Sequence, residues 1–213
     1  MAAEADAMPV RTGRADQTLL KKRRLLQIAR EEFIRQGYRA VTMDAIAQAA
    51  GVSKRSLYLW HEDKAALFRA CLVAGTEQFP LPRLSGAPDP KADLCAFAVA
   101  LLEEFTRPST VGIARLLMRE AHEFTDFWFM IQHSRDRHLV GPLAGYLERA
   151  GLTSGGETQR SAMLLLSMIL APVHNHLLLG DPLPDKRACA AHADFAVRTF
   201  LEGRAATVEC LDP

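Results

Sequence analysis

Paired cysteines, strand-like alternation and enzyme motifs are all missing from this 213-residue chain. Its four cysteines, Cys71, Cys95, Cys189 and Cys210, stand far apart with no CxxC pair. That spacing argues against a zinc site and against a disulfide framework, and suits a reducing compartment. The first twenty residues carry acids and bases but no apolar run, so no signal peptide is expected. The longest apolar stretch, Ala162 to Val173, is interrupted by Ser167 and Pro172. It is too short for the ~30 Å of a bilayer, so a soluble, cytoplasmic protein with no membrane partner is expected. There is no GxSxG elbow, HExxH pair, phosphate loop or dinucleotide fingerprint, and hence no expected catalytic residue, cofactor or metal. His174-Asn175-His176 spells a nuclease motif, but two histidines at i, i+2 on a helix point about 200° apart and cannot chelate one ion. With no convincing period-two segment and no internal repeat, the chain reads all-α.

Hydrophobic residues make up 49% of the chain, enough for a sizeable core and too many for global disorder. The formal net charge is only +1, but its distribution is uneven. Residues 1–69 hold 13 Lys+Arg against 8 Asp+Glu, whereas residues 70–213 hold 13 against 17. A basic amino-terminal third suits a nucleic-acid head on an acidic body, although a solvated surface gives the same imbalance.

Four regions follow from the punctuation of the chain. Residues 1–16 are small, polar and charged and read as a tail, from which Arg11 and Arg14 either reach a groove or remain solvated. Residues 17–62 hold a first helix, Gln17 to Gln36, with Leu25, Ile28, Ala29 and Phe33 inward, ended by Gly37, and then two shorter helices. Residues 63–204 form a larger helical body. Asp63 caps its first helix, which faces Ala66, Leu67, Ala70 and Cys71 inward and runs to Phe79 before Pro80 and Pro82. A proline-rich loop leads to Asp89-Pro90, a cap followed by proline at the first helical position. Helices then span Lys91 to Phe105 and from Ser109 or Thr110 onward, the latter with Ile113, Leu116, Leu117 and Ala121 inward. An aromatic-rich helix begins at Thr125, is interrupted at Gly141-Pro142, and resumes from Leu143 to Ala150. Glu157 to Leu179 is the most apolar helix, with a kink expected at Pro172, which removes a hydrogen bond and crowds the carbonyl of Met168. Asp185 to Glu202 closes the body, with Ala188, Ala191, Phe195, Val197 and Phe200 packing, and residues 205–213 read as a second tail.

The informative stretch is Val41 to Lys64, VTMDAIAQAAGVSKRSLYLWHEDK. Met43, Ile46 and Ala50 lie at i, i+3, i+7 on one face of a two-turn helix, and Thr42 stands where a hydroxyl caps free N–H groups. Gly51 ends that helix, because glycine takes the left-handed conformation cheaply. Ser53 caps a second helix in which Leu57 faces inward and Lys54, Arg55, Ser56 and Tyr58 can face outward. Two short helices about a tight glycine turn make a helix-turn-helix, and a donor-rich second helix suits a DNA major groove.

From about Lys22 to Phe68 the chain resembles the DNA-binding domain of TetR-type bacterial transcription regulators. The resemblance is carried by AREEFIRQGYRAVTMDAIAQAAGVSKRSLYLWHEDKAALF. It implies backbone-phosphate contacts at Thr42, Ser53, Tyr58 and Lys64, and base reading at Lys54, Arg55 and Ser56. The chemistry agrees, since Lys54 and Arg55 can donate to guanine O6 and N7 and a tyrosine hydroxyl to phosphate. The plain alternative is that both are solvated charges. Relatives often carry glycine at the place of Arg55 and an aromatic at the place of His61. Trp60 beside His61 therefore either packs beneath the second helix or lies against the sugar-phosphate backbone.

The same resemblance implies a ligand pocket among the middle helices and a homodimer built from the last two long ones. Candidate ligand residues are Arg115, Arg119, His122, Phe127, Trp128, Met168 and His174, with Phe129, Met130 and His133 nearby; core packing is the simpler account of each aromatic or methionine, and a structural role that of each histidine. The expected function is a transcription regulator, usually a repressor, released from a palindromic DNA operator by a small hydrophobic or aromatic effector. Activation, or a helical adaptor whose helix-turn-helix merely packs, are the alternatives.

Overall fold

The computed structural model of the chain describes residues 14–76, 79–83, 89–120, 125–153 and 155–209, excluding the side chains of 14–15, 125–128, 130 and 204–209. Among the described residues there is no strand. The same residues hold ten α-helices in order: α1 Arg14–Gln36, α2 Met43–Ala50, α3 Lys54–Trp60, α4 Lys64–Thr76, α5 Pro90–Phe105, α6 Pro108–Glu120, α7 Thr125–Arg135, α8 Gly141–Arg149, α9 Thr158–Leu179 and α10 Lys186–Glu209. They divide between two compact units, Met1–Cys71 and Leu72–Pro213, so the division falls within α4. Arg11 lies outside the described residues, and Arg14 opens α1 rather than belonging to a tail.

In the first unit, Leu25, Ala29 and Phe33 of α1 are fully buried, while Ile28 is only half-buried. Gly37 closes α1 with φ +85°, its N–H donating to the Phe33 carbonyl at 2.9 Å. Met43, Ile46 and Ala47 form the inner face of α2. Ala50, expected on the same face, is only half-buried. Leu57 is the buried residue of α3 at 0% exposure. Burying one leucine is worth about 1.5–3 kcal/mol, a large share for so short a helix. In α4, Leu67, Phe68 and Cys71 are buried; Ala66 and Ala70, expected inward, are only half-buried. Phe33 meets Phe68 edge-on at 5.0 Å and stacks on Tyr38 at 5.7 Å, joining α1, α4 and the turn between α1 and α2.

The second unit packs α5, α8, α9 and α10 around a core of Leu101, Leu143, Tyr146, Leu147, Leu165, Ile169 and Val197. Asp89 caps α5 by accepting from the Lys91 N–H at 2.9 Å. Pro108, not Ser109 or Thr110, is the first residue of α6, which suits a proline because the first N–H of a helix has no partner there anyway. Ala121 lies outside the described residues. Tyr146 is buried with its hydroxyl 3.3 Å from both the Pro90 carbonyl and Asp93 Oδ2. Burial, then the Asp93 charge, pushes that phenol up to about 12.

Three further expectations about the second unit change. Gly141-Pro142 does not interrupt its helix: a π turn, Asp136–Val140, joins α7 to α8 without a break. The Gly141 N–H donates to the Asp136 carbonyl five residues back, and a Cβ at Gly141 would stand 3.0 Å from that oxygen. Glycine permits this close approach, and the wider turn accommodates the proline that follows. In α10, Ala188 and Ala191 are exposed and Phe195 is 58% exposed, contrary to the packing expected of them. The buried face runs through Cys189, Ala193, Ala196, Val197 and Phe200 instead. Finally, α10 continues past the expected end at Glu202 to Glu209.

By length and mean hydropathy (1.7), the segment Gly155–Leu179 would suffice to cross a membrane. Leu165, Ile169 and Val173 within it nevertheless pack into the core. Pro172 leaves α9 continuous. The carbonyl of Met168, deprived of its usual donor by Pro172, accepts instead from His192 Nε2 of α10 at 2.9 Å. That bond fixes the Nε2–H tautomer of His192.

Candidate nucleic-acid interface

The helix-turn-helix is built from two caps and a glycine. Thr42 Oγ1 accepts from the Ala45 N–H at 3.1 Å, and Ser53 Oγ accepts from the Ser56 N–H at 3.0 Å. Gly51 takes φ +65° with its N–H donating to the Gln48 carbonyl at 3.2 Å. Each capping hydroxyl uses a lone pair for the cap, which leaves its own O–H available as a donor; Ser53 Oγ also lies 2.8 Å from Ser56 Oγ.

Leu57 anchors α3, so the helix turns its other face outward. Ser53, Lys54 and Arg55 are exposed, Tyr58 is 51% exposed, and Ser56 is half-buried. Leu59 is 80% exposed beside them. The Lys54 ammonium meets Asp44 Oδ2 of α2 at 2.6 Å, whereas Arg55 has no ion pair among the described residues. Trp60 and His61 are both half-buried. Lys22 Nζ of α1 stands 5.6 Å over the Trp60 ring, a cation–π contact. Burial first, then the Lys22 charge, holds the His61 imidazole below its ordinary value.

Lys64 follows the capping residue Asp63, whose Oδ1 accepts from the Ala66 N–H at 2.6 Å. Its ammonium donates to the Val41 carbonyl at 3.0 Å and the Arg39 carbonyl at 3.2 Å, and lies 4.7 Å over the Tyr38 ring. The side chain thus braces the turn that leads into Thr42, a function the sequence alone did not suggest.

The expected ligand residues are dispersed. Arg115 Nη2 lies 2.7 Å from His176 Nε2, whose Nδ1 lies 2.5 Å from the Asp181 carbonyl. Since a carbonyl can only accept, Nδ1 donates to it and Nε2 accepts from Arg115. Arg119 Nε donates to the buried Glu120 at 3.2 Å. His122 and the side chains of Phe127, Trp128 and Met130 lie outside the described residues. Phe129 is 73% exposed and His133 is exposed. Met168 is half-buried against the core. Of the described members of the set, His174 lines a half-open cavity of about 150 Å³, together with Arg135, Leu139, Val140, Met163, Leu166, Ser167 and Leu170. Arg135 and the π-turn residues were missed in the sequence because Gly141-Pro142 signals a break. His176 was read only as half of an unworkable chelate.

The family model for bacterial regulatory proteins of the tetR family matches residues 25–71. The model for the AefR-like transcriptional repressor C-terminal domain matches residues 92–203. The HTH-type transcriptional regulator YdeS of Bacillus subtilis (strain 168) is 27% identical over 169 residues, spanning 76% of this chain and 80% of that protein. Among solved structures, the flavonoid-responsive regulator FrrA is 28% identical with a TM-score of 0.70, covering 86% of this chain and 96% of its own. A TetR transcriptional regulator from Agrobacterium tumefaciens is 25% identical with a TM-score of 0.64, covering 86% and 93%. The two models between them take in the capped helix pair and the helical second unit, and so the chain belongs to the TetR family of transcription regulators, with a DNA-binding helix-turn-helix at its amino-terminal end.

Proposed function

We propose that the chain is a homodimeric repressor that leaves a palindromic operator when a small hydrophobic or aromatic effector binds its second unit. The observation that carries this reading is the outward face of α3. Ser53, Lys54, Arg55 and Tyr58 are exposed donors on a helix whose one buried anchor is Leu57. In this reading Lys54, Arg55 and Ser56 meet base edges. Thr42, Ser53, Tyr58, Trp60 and the N-terminus of α4 at Lys64 meet the sugar-phosphate backbone. One short helix reads too few base pairs for useful specificity, whereas two read half-sites about 34–36 Å apart, or a multiple of that spacing.

The partner surface is offered by α9 and α10, which leave apolar side chains in water. Met163, Leu164, Leu178, Leu179 and Phe195 are 45–74% exposed, and Ala188, Ala190 and Ala191 permit close helix approach. The effector site draws on His174 and the cavity beside it, whose floor is aliphatic. FrrA, similar in sequence and fold, is by name flavonoid-responsive, which supports an aromatic effector. The effector prefers a state in which α4 has moved the heads out of register, and it shifts the equilibrium only by its difference in affinity between the two states. Operation on chromosomal DNA places the protein in the cytoplasm.

The test is a gel shift against the DNA flanking its own gene, across a salt series, with and without a flavonoid. Salt-sensitive, palindrome-specific binding that the flavonoid relieves supports the proposal. Sequence-indifferent binding, or release only by small charged metabolites, refutes it.

A further inference from the structure

The DNA-facing surface of the head carries one acid in direct contact with a proposed base reader. Asp44 lies in the first turn of α2, two residues from the capping Thr42, and its side chain is 56% exposed. Its Oδ2 is 2.6 Å from the ammonium of Lys54, the first residue of α3, itself 67% exposed. A carboxylate at such a place raises the free energy of any approaching polyanion. It also competes with phosphate for the one ammonium it holds.

We propose that Asp44 is a positioning residue for sequence discrimination, holding Lys54 away from phosphates until an operator base edge takes the ammonium from it. The inference rests on the DNA-binding role proposed above for Lys54. An ion pair this exposed to water is weak, so the pair exchanges readily. A phosphate merely replaces one anion by another, and the exchange gains little. A guanine in register offers O6 and N7 together, and there the exchange is favourable. Asp44 therefore weakens binding to random DNA more than binding to operator. Arg55, beside Lys54 and with no ion pair among the described residues, is under no such restraint.

The experiment measures affinity of the full chain for operator and for a random duplex of equal length, in wild type, D44N, D44E, K54M and D44N/K54M. The expected result is that D44N binds random DNA roughly threefold to tenfold more tightly and gains less on operator. Its salt slope on random DNA steepens by about 0.9, one more cation released from the duplex. D44E, which keeps the charge, retains the wild-type ratio of the two affinities. In the K54M background D44N no longer changes that ratio. The proposal is overturned if D44N shifts both affinities by one factor or shifts neither. It is equally overturned if D44N/K54M still loses discrimination, since Asp44 would then act by repulsion alone. A wild type that does not distinguish operator from random DNA refutes the underlying function instead, and the two failures are told apart by that first measurement.

Discussion

Replacing Lys64 by methionine tests whether its ammonium holds the head together or simply waits for phosphate. Methionine keeps most of the apolar stem and removes only the charge and its donors. The bond to the Val41 carbonyl is part-buried at 3.0 Å, and that to the Arg39 carbonyl is exposed at 3.2 Å. A charge-assisted bond in a part-buried site contributes about 1.5 kcal/mol, and the exposed one roughly 0.5. The cation–π contact with Tyr38 adds ~0.5 kcal/mol at this exposure. The loss is therefore about 2.5 kcal/mol, concentrated in the turn that positions Thr42. Hydrogen exchange reads such a loss locally: amides of α2 and α3 should exchange roughly 70-fold faster, at about 1.36 kcal/mol per decade. DNA affinity should fall by a similar factor on every sequence, because a backbone-contacting frame has been loosened rather than a base contact removed. Unchanged exchange, with only a modest loss of DNA affinity, would refute the bracing function and leave Lys64 a plain phosphate contact.

Arg55→Ala should change which operator variants are preferred, read from affinities across a panel of single-base substitutions; an equal loss on every variant removes Arg55 from base reading. Phe195→Glu, on the exposed face of α10, should leave the fold intact by circular dichroism yet yield monomers in sedimentation equilibrium, with operator binding lost. An undisturbed dimer would move the interface elsewhere. His61 is held below its ordinary value of 6.5 by burial and by Lys22. The unfolded chain therefore binds the extra proton first, and the contribution of His61 to stability is complete above pH 6.5 and lost as pH falls through the lower folded value. Urea midpoints at pH 5 and pH 7.5 should differ less in His61→Asn than in wild type.

The head was legible in the sequence because its signals are local. Thr42, Gly51, Ser53 and Asp63 each act on backbone groups within three residues, and Leu57 needs only helical periodicity to be placed inward. The second unit was legible as helices but less so as faces. Small residues such as Ala188 and Ala191 pack equally well within a chain or between chains, and nothing local decides which. The π turn was missed because Gly141-Pro142 ordinarily ends a helix, and only the Gly141 N–H bond to Asp136 shows how the chain passes through. The pairs Lys54–Asp44, Lys64–Val41 and Arg115–His176 join positions ten to sixty-one residues apart, where sequence pattern has no reach.

The bond from His192 to the Met168 carbonyl makes two distant positions a single unit of design. Pro172 without His192 leaves a half-buried oxygen with no proton to accept, and His192 without Pro172 must share an acceptor that the helix already uses. Either residue changed alone exposes the mismatch; changed together, for alanine and an apolar side chain, they erase it. A proline that would loosen α9 by itself thus becomes, through its neighbour, a rivet between α9 and α10, the two helices on which the proposed partner would settle.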